Sequence, residues 1–118
     1  MSTKFNMTRD INGYNGFGIM PTYDIQSGIM AAGVAQSVTV PDNYPNWIAI
    51  FSYSPGSNIW VSFTTTALVP TGAFSSTASS LNPSARAVSA GQTISLITND
   101  ADSPEISIEF QVIAPYQN

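Results

Sequence analysis

Two short apolar runs, Trp47-Ile48-Ala49-Ile50-Phe51-Ser52-Tyr53 and Ile59-Trp60-Val61-Ser62-Phe63, flank the turn residues Ser54-Pro55-Gly56-Ser57-Asn58. Each run is too short for a helix, and both are rich in aromatic and β-branched side chains, so both predict strands. The turn residues between them predict a β-hairpin around which the remaining strands take their places. In the first run Trp47, Ala49, Phe51 and Tyr53 share one face, and Ile48, Ile50 and Ser52 share the other. Both faces are largely apolar, which predicts cover on both sides. In the second run Ile59, Val61 and Phe63 form the apolar face and Trp60 stands on the wetter one.

Further strands follow the same period. Val34–Val40 alternates around Val34, Gln36, Val38 and Val40, and ends at the turn Pro41–Asn46. Thr64–Val69 can continue or restart a strand before Pro70-Thr71-Gly72. Residues 73–92 predict a long Ser/Ala-rich connection anchored by Phe74 and Leu81, of the kind that usually carries function. Gln92–Thr98 is a strand entered by the turn Ala90-Gly91. In the last strand Ile106, Ile108, Phe110 and Val112 point inward, while Glu105, Ser107, Glu109 and Gln111 point out. Outward glutamates there oppose edge-to-edge pairing. About six to eight strands with no helix predict an all-β fold, an antiparallel β-sandwich or jelly roll.

Residues 1–33 have a different texture. Asn12-Gly13-Tyr14-Asn15-Gly16-Phe17-Gly18 alternates small residues with aromatics, against both helix and regular strand. This predicts an extended N-terminal arm over 1–33 ahead of a sandwich domain over 34–118. The arm either covers its own sheet or reaches a neighbouring subunit. Within it, Gly28–Gly33 favours a short strand over a helical turn. Its opening, Met1–Asp10, has no apolar core of a signal peptide, so synthesis in the cytoplasm is expected. The longest apolar run, Gly28–Ala35, falls far short of the ~20 residues of a membrane helix.

Chemistry is constrained by what the chain lacks. With no Cys and no His, thiol and imidazole nucleophiles, bases and metal ligands are excluded. Carboxylate pairs from Asp100 with Asp102, or Glu105 with Glu109, fall on a turn and on a solvated strand face, where a structural role is the better account. The glycines at 13, 16 and 18 precede no helix, so they form no phosphate loop. Asn99, Asp100, Asp102, Ser103 and Glu105 have oxygen ligands for calcium but not the spacing of a calcium loop. An acidic turn closed by its own hydrogen bonds explains them better, and no cofactor is expected. Trp60, Tyr53, Tyr44 and Trp47 would stack on a sugar if one face were bare, although such aromatics more often fill cores. Three basic against seven acidic residues rule out a basic stripe for nucleic acid. Charged residues make up only 8% of the chain, against about 25% in an ordinary domain. Such a neutral surface suits contact with other proteins.

The order of several short motifs carries a resemblance. Ser37-Val38-Thr39-Val40-Pro41 is followed by Ala49-Ile50-Phe51-Ser52, Trp60-Val61 and Ala67-x-Val69-Pro70. Then come Ser80-Leu81-Asn82-Pro83-x-Ala85-Arg86, Thr93-Ile94-Ser95-Leu96-Ile97 and the closing amphipathic strand. Over residues 34–113 this resembles small virion structural proteins of tailed bacteriophages, with the Ser-Leu-Asn-Pro-x-Ala-Arg stretch the most specific part. The resemblance implies a non-enzymatic cement or decoration subunit on the capsid exterior, commonly a homotrimer, with the major capsid protein as partner. No nucleic acid, membrane or small-molecule substrate is expected. A neck, tail or fibre component is the alternative of the same class, and a carbohydrate-binding sandwich for the host surface that of a different one. The expected contacts are Phe5, Tyr14, Phe17 and Tyr23 of the arm, with Tyr53 and Trp60. Arg86 is expected to pair with Asp100, Asp102 or a carboxylate of another subunit.

Overall fold

The computed structural model describes residues 22–113. Its elements are β1 (Ile25–Ile29), β2 (Gln36–Thr39), β3 (Asn46–Tyr53), β4 (Ile59–Ser62), β5 (Ser79–Leu81), β6 (Ala85–Ser89), β7 (Thr93–Thr98) and β8 (Glu105–Val112). There is no helix among the described residues, hence none long and apolar enough to cross a membrane. The strands form two four-stranded antiparallel sheets in the orders β1-β8-β3-β6 and β2-β7-β4-β5. The fold is all-β, an antiparallel β-sandwich of jelly-roll type.

The topology has a simple origin. β1 pairs with β8, β2 with β7, β3 with β6 and β4 with β5. The chain is thus one long two-stranded ribbon, folded back on itself between β4 and β5. The ribbon then rolls up, so that β3 also meets β8 and β4 also meets β7. Among the described strands only β4 and β5 are both consecutive and hydrogen-bonded; every other connection between them passes from one sheet to the other.

The predicted hairpin is therefore corrected. β3 and β4 are strands, but they lie in different sheets. β3 already has β8 and β6 on its two edges, and β4 has β7 and β5. The two runs meet face to face across the core instead, with Phe51 and Phe63 edge-on at 6.0 Å. Ser54–Asn58 is an arch between sheets, closed by Ser57 N–H and Oγ–H donating to the Ser54 carbonyl at 3.2 and 2.8 Å, with Gly56 at φ +76°. A hairpin and an arch need the same turn residues, so local sequence does not separate them.

The core follows the period-2 pattern closely. The first sheet contributes Trp47, Ala49, Phe51, Val88, Ile106, Ile108 and Phe110; the second contributes Ile59, Val61, Ile94 and Leu96. Trp47 is the largest fully buried side chain, and its indole N–H donates to the Tyr44 carbonyl at 2.9 Å. Burying a side chain of this kind stabilises a fold by about 1.5–3 kcal/mol. Val112, expected inward, is 44% exposed at the end of β8. β8 itself is an interior strand between β1 and β3, so its glutamates do not guard an edge.

Two further expectations change. Thr64–Val69 is not a strand. It crosses the outer face of the second sheet, where serine hydroxyls take the place of a strand partner. Ser62 Oγ accepts from Thr65 N–H at 3.0 Å, Ser95 Oγ from Ala67 N–H at 2.9 Å, and Ser79 Oγ from Leu68 N–H at 3.1 Å. The long connection over 73–92 contains β5 and β6, and its supposed anchors are not buried: Phe74 is fully exposed and Leu81 is 45% exposed. Ile25–Ile29, within the segment expected to be an arm, is an edge strand of the first sheet.

Candidate interaction surface

Each sheet turns one face to solvent. On the second sheet, pairing aligns Leu81, Trp60 and Ile97 in one row across β5, β4 and β7. This row is half-exposed, and Leu68, whose N–H is held by Ser79 of β5, is exposed beside it; Phe74, further along the same loop, is exposed as well. Leu81, Trp60, Ile97 and Leu68 thus meet solvent together on a face already half-covered by the Ser-pinned loop. Contiguous exposed apolar side chains of this kind mark contact surfaces.

The outer face of the first sheet is of another kind. Ser27, Ser107 and Ser52 form a row across β1, β8 and β3, with the Ser27 hydroxyl donating to Ser107 Oγ at 3.1 Å. Ile25, Glu109, Ile50 and Ala85 form the next row. A shallow depression of about 520 Å³ lies over Ser27, Ile29, Ser52, Ser54, Glu105 and Ser107. It runs into a second, of about 500 Å³, bordered by Pro55, Gly56, Asp100 and Asp102. Glu105 meets these serines through its backbone, its N–H donating to Ser54 Oγ at 3.0 Å, and among the described residues no side-chain carboxylate is hydrogen-bonded to them. Among the described residues no three carboxylates converge as metal ligands. Asp100 instead caps the arch, its Oδ2 accepting from Asn58 N–H at 2.7 Å.

The expected contact residues do not converge on one place. Phe5, Tyr14 and Phe17 lie outside the described residues. Tyr23 is 90% exposed just ahead of β1. Trp60 belongs to the outer row of the second sheet. Tyr53 is half-buried at the end of β3, stacked on Phe51, and its hydroxyl donates to the Pro83 carbonyl at 2.6 Å. Burial pushes the Tyr53 phenol well above its ordinary value, and the positive charge of Arg86 opposes this only in part. Of the four aromatics weighed for sugar stacking, Trp47 and Tyr53 are occupied by the core, and Tyr44 packs edge-on against Trp47.

Arg86 does not pair with Asp100 or Asp102. It sits on edge strand β6 opposite Ala49, on the side that faces the core, and extends to solvent with Nη1 donating to the Ala85 carbonyl at 2.7 Å. A charge on the inner face of an edge strand blocks addition of another strand, because a further strand would bury it.

Asn82 lies in the most specific motif, but nothing in the sequence alone marks it out. It adopts φ +45°, in the left-handed region that Asn tolerates. Its Oδ1 accepts from Ile59 N–H at 2.8 Å, its Nδ2 donates to the Ser57 carbonyl at 2.8 Å, and its N–H donates to the Ile59 carbonyl at 2.8 Å. With the Pro83 carbonyl taken by Tyr53, the Asn-Pro pair clasps the β5–β6 crossing to the β3–β4 arch. An Asn-Pro pair between apolar strands signals a turn in the sequence, but not which distant turn it holds.

Compared with protein-family models, with curated proteins and with solved structures, the chain finds no match.

Proposed function

We propose that this chain is a non-catalytic virion structural protein, a decoration or cement subunit that bridges major capsid proteins on the particle exterior. The observation that carries this is the Leu81–Trp60–Ile97 row, with Leu68 beside it and Phe74 exposed on the same loop, on a chain of only 8% charged residues. Such a surface gains from being covered and pays little desolvation of charge when it is. The motif order that resembles small phage virion proteins supports the same reading. The jelly roll does so by analogy alone, because the fold serves capsids and lectins alike. A small contact of this sort becomes effective when a symmetric shell repeats it many times.

The test is co-sedimentation with expanded phage capsids. Wild type binds and raises the shell's melting temperature, and Trp60→Ala with Phe74→Ser weakens both. Retention on host glycans, lost in Trp60→Ala, with no binding to capsids would establish the carbohydrate reading in its place.

A further inference from the structure

We propose that β1 is a docking edge for a second copy of this chain, the two β1 strands pairing antiparallel about a two-fold axis at Ser27. This does not depend on the virion reading. The hydrogen-bond parity comes first. Phe110 N–H donates to the Asp24 carbonyl, and Met30 N–H donates to the Pro104 carbonyl, both at 2.9 Å. Gln26 and Gly28 stand opposite Ile108 and Ile106 in the same register. The even-numbered residues of β1 therefore direct their backbone groups toward β8. Ile25, Ser27 and Ile29 direct theirs away from it, to the open edge. Among the described residues only the Ile25 N–H of these groups is occupied, by the Tyr23 carbonyl at 3.1 Å.

An antiparallel pair must use residues of that odd parity. Centring on Ser27 is the one register that engages all of them. Ser27 faces Ser27 of the second copy and exchanges both bonds, and the Ile29 N–H of each copy reaches the Ile25 carbonyl of the other. The side chains repeat the symmetry, because Ile25-Gln26-Ser27-Gly28-Ile29 has the same outward residues in either direction. Ile25 meets Ile29, and the serine row of Ser52, Ser107 and Ser27 continues into its own image. Gln26 lies against Gly28 of the second copy, where no atom stands within 4 Å of the position of a Cβ.

Charge also fits. β1 carries no charged residue. Glu109 beside Ile25 and Glu105 beside Ile29 end up three strand spacings apart across the axis, about 14 Å. That exceeds the screening length of about 8 Å at physiological salt. Nothing on β1 opposes pairing: it has no proline, no Lys and no bulge.

The experiment uses the full chain in light scattering over a concentration series. Ser27→Pro removes an N–H that points to the open edge and leaves the β8 ladder whole, as proline on an edge strand allows. Wild type is expected to be a concentration-dependent dimer, and Ser27→Pro to dimerise at least about tenfold more weakly with unchanged circular dichroism. The complementary variant is Ser27→Cys, in a chain without cysteine. Facing Cα atoms in a hydrogen-bonded pair are about 5.5 Å apart, inside disulfide range. Ser27→Cys is expected to cross-link to a covalent dimer on mild oxidation, far faster than Thr39→Cys on β2. A wild-type monomer throughout, a dimer that Ser27→Pro leaves intact, or equal cross-linking of the two cysteine variants would overturn the proposal.

Discussion

The two long sides of this sandwich are built differently. On one, β6 carries Arg86 on its core-facing side, and its neighbour β5 has only three residues. The Asn82 clasp ties the crossing between them to the arch. On the other, β1 and β2 are uncharged along their whole length, and a gap of about 200 Å³ opens between them over Gly28, Met30, Val38, Ile106 and Ile108. The same rolled ribbon thus ends in one edge guarded against further strands and one left open. A low-charge β protein relies on local devices rather than net charge to control association, and here the devices are on one side only.

The largest effect is expected at the closed side. Asn82→Ala removes two side-chain bonds and places Ala at a positive φ, so it should cost about 2–3 kcal/mol in urea unfolding. A loss below the scatter of ordinary surface substitutions would mean that the clasp does not hold this side shut.

Tyr53→Phe leaves the Pro83 carbonyl without its donor and should cost about 1 kcal/mol near neutral pH. Its pH dependence has a definite sign. The folded phenol titrates above its ordinary value of 10.0, so the folded state holds its proton longer than the unfolded state does. The stabilisation is complete below about pH 10 and is lost as pH rises beyond it. Tyr53→Phe should therefore flatten the alkaline fall in melting temperature; an unchanged fall would locate its cause elsewhere.

At the open side the expected sign reverses. Gly28→Ala, in an edge strand with free space at its Cβ, should stabilise by about 0.5 kcal/mol. Destabilisation would show that the space beside Gly28 is needed. The smallest effect on stability is that of Arg86→Thr, within about 0.5 kcal/mol, because the guanidinium is exposed and unpaired with any carboxylate among the described residues. Its effect should be on association: with the guard removed, β6 becomes a second open edge, and light scattering should find species larger than those of wild type.

Sequence periodicity located β3, β7 and β8 and their buried faces, because period-2 burial is written in consecutive residues. What it missed was long-range. The hairpin became an arch because strand partners come from the far end of the chain. Thr64–Val69 left the sheet because Ser62, Ser79 and Ser95, distant in sequence from one another, supplied the acceptors. Hydropathy marks Phe74 and Leu81 as anchors, yet hydropathy does not say which face a residue occupies. For the contact surface, Trp60 was legible as the aromatic of a wetter face; its neighbours Leu81 and Ile97 required the register. The contrast between Arg86 and the bare β1 edge needed the strand order as well.

Amide hydrogen exchange on the wild-type chain, residue by residue and at low and high protein concentration, reads that contrast most directly. Gln26 and Gly28, bonded to β8, should be protected at both concentrations, while Ser27 and Ile29 should exchange fast when dilute and become protected when concentrated. Fast exchange of Ser27 and Ile29 at every concentration, or protection that does not change with it, would contradict an open edge that a second copy closes.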